Sequence, residues 1–240
     1  MNNIDTIFFD FDRTLRLSHM YWEDFATDHL QAVGLAITTE ERQQTKRWVH
    51  YYFQSDDLKR DRTRFKDEEE FWDYFYIQFI KQYTQSEDQA KSLMPELRER
   101  VLNECFPKYD DYVPQQSVQE LEHLRAQGYK MGIITNRTSP IDGLLDQLGL
   151  TAFFPWVIVS GKVGITKPEA GIFHLALEQS QANAQTTLYV GDNYYADVIG
   201  AQNAGLTPVL VDPEGLFPEA QCPVIDSLAD LPELLREFAA

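Results

Sequence analysis

Basic residues are scarce in this chain. Twenty-one lysines and arginines stand against 38 aspartates and glutamates among 240 residues, a formal net charge of −17. A field of that sign repels nucleic-acid phosphates and argues against a general nucleic-acid binder. Cysteine is scarcer still. Cys105 and Cys222 lie far apart, in no metal-like spacing, and read as reduced thiols without function, as in a cytosolic protein. No apolar run approaches the roughly 20 residues that span a bilayer, and no basic stretch followed by an apolar run opens the chain. A soluble, cytoplasmic protein with no membrane partner is expected. His19, His29, His50, His123 and His174 show no ligand spacing to one another, and none is assigned a catalytic role.

What remains is ordinary globular usage, with 43% hydrophobic and 25% charged residues. The length suits one large domain, or a core with a smaller inserted one. Ile4 to Phe11 reads as a strand apolar on both sides, as a central parallel strand covered by helices would be. From about Tyr21 to Phe106 the pattern turns helical, rich in charge and aromatics and nearly free of Gly and Pro. After Tyr112 strands and helices alternate. Strands are predicted at Lys130–Thr135, Trp156–Ser160, Thr187–Gly191 and Thr207–Val211. Helices are predicted at Val118–Ala126, Ile141–Leu148, Gly171–Gln179, Ala196–Ala204 and Leu228–Phe238. Such alternation implies βαβ units and a parallel sheet. The fold class is therefore α/β: a doubly wound, Rossmann-like parallel-sheet core with an all-helical insert. The core is placed at residues 1–17 and 113–240 and the insert at 18–112, with boundaries near Arg16 to Ser18 and Tyr109 to Pro114.

Four short segments put polar residues just after a strand, at the edge where open α/β sheets bind ligands. In Phe8-Phe9-Asp10-Phe11-Asp12-Arg13-Thr14, residues two apart in an extended chain point the same way. Asp10 and Asp12 then share a face and repel unless a cation or proton intervenes. The strand Met131-Gly132-Ile133-Ile134 ends in Thr135-Asn136, residue types that also begin ordinary turns. In Gly164-Ile165-Thr166-Lys167-Pro168-Glu169, Pro168 is expected to open a helix, with Lys167 just before it, a position that a plain surface lysine also fills. In Gly191-Asp192-Asn193-Tyr194-Tyr195-Ala196-Asp197, a strand delivers Asp192, and Asp197 opens the next helix, where capping alone would favour a carboxylate.

Taken singly, each segment is ambiguous; their order and spacing are not. Together they resemble the phosphatase branch of the haloacid dehalogenase-like hydrolases: Asp10, Asp12 and Thr14 after the first strand, then Thr135, then Lys167, then Asp192 and Asp197. The resemblance covers Asp5 to Thr14 and Val118 to about Pro213. The insert matches that family's cap domain in position and length, though not in motif. The resemblance implies that Asp10 is a nucleophile forming an aspartyl-phosphate, and that Asp12 is the acid and base for leaving group and water. Mg2+ would be held by Asp10, the Asp12 carbonyl and Asp192, with Asp197 ligating directly or through water. Lys167 and Thr135 would bind the phosphoryl oxygens, with Asn136 and Thr14 nearby. Magnesium and Lys167 would then make so acidic a protein tolerable to a phosphate. Many family members carry Gly where this chain has Arg13. Either the turn does not need a glycine's freedom or some strain is accepted, and the Arg13 fork can reach a substrate anion or point to solvent.

Aromatic residues crowd the insert; Trp72, Phe75, Tyr76, Phe79 and Tyr83 repeat at helical spacing, as the core of a small helical domain would. A few could instead stack on a planar part of a substrate. Lys59 to Lys66 is a basic island, read as a solvated loop partnered by Asp67 to Glu70, or as a contact for a second anionic group. The expected partner is a small phosphorylated metabolite: a sugar phosphate, a phosphoglycolate-like acid or a nucleoside monophosphate. The protein is expected to be a monomer or homodimer. A phosphomutase of the same fold, and a non-catalytic phosphometabolite-binding protein, remain as alternatives.

Overall fold

The structure is a computed structural model that describes residues 4–108 and 111–239. The chain divides into two compact units, Met1–Leu17 with Tyr112–Ala240, and Ser18–Asp111. Tyr109, the outer limit of the expected second boundary, lies outside the described residues.

The strands are β1 (Thr6–Phe9), β2 (Leu17–Ser18), β3 (Asp111–Tyr112), β4 (Lys130–Thr135), β5 (Trp156–Val159), β6 (Thr187–Gly191), β7 (Thr207–Val211) and β8 (Val224–Ile225). Six form one sheet in the order β5-β4-β1-β6-β7-β8, while β2 and β3 make a separate two-stranded sheet. Every pairing in the large sheet is parallel. It is the α/β, doubly wound, Rossmann-like core. Both faces are covered, and this explains the uninterrupted apolar strands. Ile7, Phe9, Ile133, Leu188 and Val190 pack on one side with Leu121, Leu124, Leu231 and Leu235. Phe8, Ile134, Ile158 and Tyr189 pack on the other with Ile172, Phe173, Ala176 and Ala201. Phe8 and Gly132 are partners in register, and a Cβ at Gly132 would collide with the Phe8 ring, so this strand position must be glycine for β1 and β4 to pair.

Three local features differ from the sequence reading. Pro168 does not open a helix. The Lys167–Pro168 peptide is cis, Glu169 N–H donates to the Thr166 carbonyl at 2.8 Å, and the helix begins at Ala170. Asp197 does not open its helix either. Asn193 is the cap, accepting from the Tyr195 and Ala196 amides at 3.0 Å, and Asp197 lies inside a π-helical turn, Tyr194–Val198. The basic island is helical over Asp56–Arg64, and its charges find local partners, Arg60 with Asp57 at 2.9 Å and Arg62 over the Phe71 ring at 4.5 Å.

The second unit contains helices Trp22–Ala32, Thr39–Tyr52, Asp56–Arg64, Glu68–Ile80 and Glu87–Arg100. Its aromatics pack on one another. Phe75 is 1% exposed, with the rings of Phe53, Tyr52, Trp22 and Trp72 centred 5.1, 5.3, 5.6 and 5.6 Å away. No helix among the described residues is long and apolar enough to cross a membrane.

Candidate active site

Side chains from four loops converge where β1, β4 and β6 end. Asp10 directly follows β1, and its N–H still bonds the neighbouring strand, donating to the Val190 carbonyl at 2.8 Å. Its carboxylate is buried. The chain then turns tightly. Leu15 and Arg16 N–H both donate to the Phe11 carbonyl, and Arg13 N–H donates to the Arg16 carbonyl at 2.7 Å. Arg13 sits in this turn at φ 65°. The turn does require a left-handed residue, and the strain of a side chain's Cβ there is accepted.

Lys167 is 3% exposed, so it is not a surface lysine. Its ammonium donates to Asp10 Oδ1 at 2.5 Å, to Asp197 Oδ1 at 2.6 Å and to Tyr189 Oη at 2.9 Å. An ammonium has three protons, and all three are placed. Tyr189 in turn donates to the Ile134 carbonyl at 3.0 Å. Asp197 also accepts from the Asn193 N–H at 2.9 Å. Gly191 lets this carboxylate approach, since a Cβ on Gly191 would collide with it. Asp192, one residue past β6, accepts from Thr14 Oγ1 at 3.5 Å.

Asp10, Asp192 and Asp197 each present an oxygen within 4.8 Å of the others. Three carboxylates against one ammonium leave an excess of negative charge, and the protonation equilibria register it. Burial pushes the Asp10 carboxyl up to about 7; Lys167 opposes this, and Asp197 and Asp12 add to it. Asp192 is pushed well above the carboxylate range by burial, then by Asp10 and Asp197. Burial pulls the Lys167 ammonium down, but Asp10 and Asp197 overcome it and hold it above its ordinary value. Clustered hard oxygen donors, two of them buried and Asp192 half-buried, short of positive charge, suit a divalent cation such as Mg2+.

The other residues singled out in the sequence fall around this cluster. Thr135 is buried at the end of β4 and accepts from the Arg137 N–H at 3.3 Å. Asn136 spends its amide on the main chain of Lys167. The Asp12 side chain lies apart from the three-carboxylate group; it pairs with Arg16 and, at 3.5 Å, with Arg137. Arg13 is near enough to Asp192 to oppose the rise in its pKa. Sequence reasoning missed Tyr189, Asn193, Arg16 and Arg137. A hydroxyl in the apolar run of β6 was a visible signal for Tyr189; for the arginines there was none.

A sequence profile described as haloacid dehalogenase-like hydrolase matches residues 4–205. The chain belongs to that family. It is 33% identical over 121 residues to a glyceraldehyde 3-phosphate phosphatase of Methanothermobacter thermautotrophicus, covering 47% of this chain and 54% of that one. It is 36% identical over 114 residues to the pyrimidine 5'-nucleotidase YjjG of Escherichia coli, covering 44% and 49%. The chain thus spans about half the length of these curated relatives. Among solved structures, the HAD-hydrolase YfnB of Bacillus subtilis superposes with a TM-score of 0.57 at 23% identity, over 98% of this chain and 100% of that one; this likeness concerns the fold.

Proposed function

We propose that the protein is a magnesium-dependent phosphatase that hydrolyses a small phosphate monoester through an aspartyl-phosphate on Asp10. One observation carries the reading: Asp10, at the end of the central strand, shares a cluster with buried Lys167 and Asp197 and half-buried Asp192. A nucleophilic carboxylate, a cation for phosphoryl charge and a set of metal donors are thereby in one place. Matching phosphatases supply further support, as does YfnB, a fold relative described as bound to magnesium.

Asp10, Asp192 and Asp197 would hold Mg2+, together with the Asp12 carbonyl. When bound, the ion offsets the clustered carboxylates and the charge of the phosphoryl group. Asp10 Oδ attacks phosphorus as the ester P–O bond breaks, and Asp12 gives a proton to the departing alcohol oxygen. Asp12 then takes a proton from water, whose oxygen attacks phosphorus and releases Asp10 as a carboxylate. Lys167 and Thr135 steady the transferring oxygens, while Tyr189 and Asn136 keep Lys167 in place. The unit Ser18–Asp111 serves as the cap that selects the substrate. Sugar phosphates, phosphoglycolate-like acids and nucleoside monophosphates are the classes to try.

Phosphate release from a panel of such esters, with magnesium and with chelator, tests this for wild type and Asp10→Asn. Magnesium-dependent release that the substitution abolishes, in a protein still folded by circular dichroism, is expected. Substantial turnover by Asp10→Asn would sink the mechanism. No release, but isomerised product and a trapped aspartyl-phosphate, would favour the phosphomutase; neither would favour a binding protein.

A further inference from the structure

Arg137 follows Asn136, and its main chain is fixed on both sides. Its N–H donates to Thr135 Oγ1 at 3.3 Å, and its carbonyl accepts from Gly161 N–H at 2.9 Å. Gly161 has no alternative there, because a Cβ would collide with the Thr138 main chain. The guanidinium therefore projects from a rigid base. It lies 5.9 Å from the centre of the Phe11 ring and reaches Asp12 Oδ1 through Nη1 at 3.5 Å.

That contact leaves most of the group unused. A guanidinium carries five N–H donors in a planar fork. Among the described residues Arg137 makes one side-chain hydrogen bond, at the long limit of such bonds, and 33% of its side chain is exposed. Asp12 does not need it, since Arg16 donates to the same Oδ1. Both guanidiniums thus meet the same carboxylate oxygen, in a chain whose net charge is −17.

We propose that Arg137 is a specificity residue that binds a second oxyanion on the alcohol half of the phosphate ester. The inference rests on the phosphatase reading, which also gives it direction. Lys167 and Thr135 attend the transferring phosphoryl group, whereas Asp12 meets the ester oxygen. A cation beside Asp12 therefore faces the leaving group. Carboxylate and phosphate both match the fork, so the substrate class is a phosphate monoester bearing a carboxylate or second phosphate a few atoms from the ester oxygen.

Three esters of one chain length test this with the full chain and magnesium: propyl phosphate, 3-(phosphonooxy)propanoate and propane-1,3-diyl bisphosphate. Wild type should favour one charged ester over propyl phosphate in kcat/KM by about ten- to a hundredfold, as hydrogen bonds between charged groups give; the favoured ester tells carboxylate from phosphate. Arg137→Gln should collapse that ratio, mainly through KM, and Arg137→Lys should restore part of it. Equal use of all three esters by wild type overturns the inference while leaving the phosphatase reading intact. So does an equal loss on all three in Arg137→Gln. Turnover of none of them, with no release from the wider panel of esters either, sinks both.

Discussion

Asn136 and Lys167 are bonded in both directions: the Lys167 N–H donates to Asn136 Oδ1 at 2.7 Å, and Asn136 Nδ2 donates to the Lys167 carbonyl at 2.9 Å. The side chain at the end of β4 thus fixes the turn from which the buried ammonium reaches Asp10. Asn136→Ala removes both bonds and Asn136→Asp sets a carboxylate oxygen against a carbonyl. Each should cost about 1–3 kcal/mol of stability and lower kcat by roughly 10- to 100-fold through misplacement of Lys167. Steady-state kinetics beside urea unfolding checks this; unchanged kcat in both variants would refute the positioning role.

Lys167→Met tests the charge balance of the cluster. It leaves Asp10 and Asp197 buried without their shared cation. Removing one partner of a buried pair costs about 3–5 kcal/mol. Activity should be lost, and magnesium should stabilise this variant more than wild type, because the ion then supplies the only counter-charge. Urea unfolding with magnesium and with chelator gives the comparison. Equal magnesium effects on both proteins would place the ion away from these carboxylates.

Much of this arrangement was legible in the sequence, for identifiable reasons. Strands β4, β6 and β7 were readable to the residue because both faces of the sheet are buried, so the apolar run and the strand coincide. Asp10, Thr135 and Asp192 were readable because each directly follows such a run. The two-residue strand β8 was missed; Val224–Ile225 is too short to show a period. Pro168 and Asp197 misled because local preference favours both at helix starts, while long-range bonds decide their surroundings. The Lys167–Pro168 peptide is held through Asn136, and Asp197 is drawn to Lys167. The pairing of Asp12 with Arg137 joins two loops through one contact and leaves no pattern in the chain.

Arg13→Gly separates strain from function. At φ 65° a residue with a Cβ is held at a cost of roughly 1–2 kcal/mol relative to its relaxed backbone, which glycine avoids while gaining freedom in the unfolded chain. The net expected is a stability gain of about 1 kcal/mol or less. The same change removes the positive charge that opposes the raised pKa of Asp192, so activity should fall. A variant both more stable and as active as wild type would show that Arg13 serves neither substrate nor cluster.

His29 sets a pH dependence in the second unit. It is buried, its Nδ1 lies 2.7 Å from Arg100 Nη1, and its Nε2 lies 3.5 Å from Glu96. The neutral ring accepts from Arg100 at Nδ1 and keeps its proton on Nε2. Burial, then the Arg100 charge, lowers its pKa below 6.5. The unfolded chain therefore takes up a proton first as the pH falls. The stability that the neutral ring contributes is fully present above about pH 6.5 and is lost on descent toward the folded pKa, with a slope of at most about 1.4 kcal/mol per pH unit. His29→Gln retains an acceptor and cannot titrate, so it should flatten the fall in stability below about pH 6.5. Urea unfolding at half-unit steps would show it, and parallel curves for the two proteins would mean that folding leaves proton binding at His29 unchanged over this range.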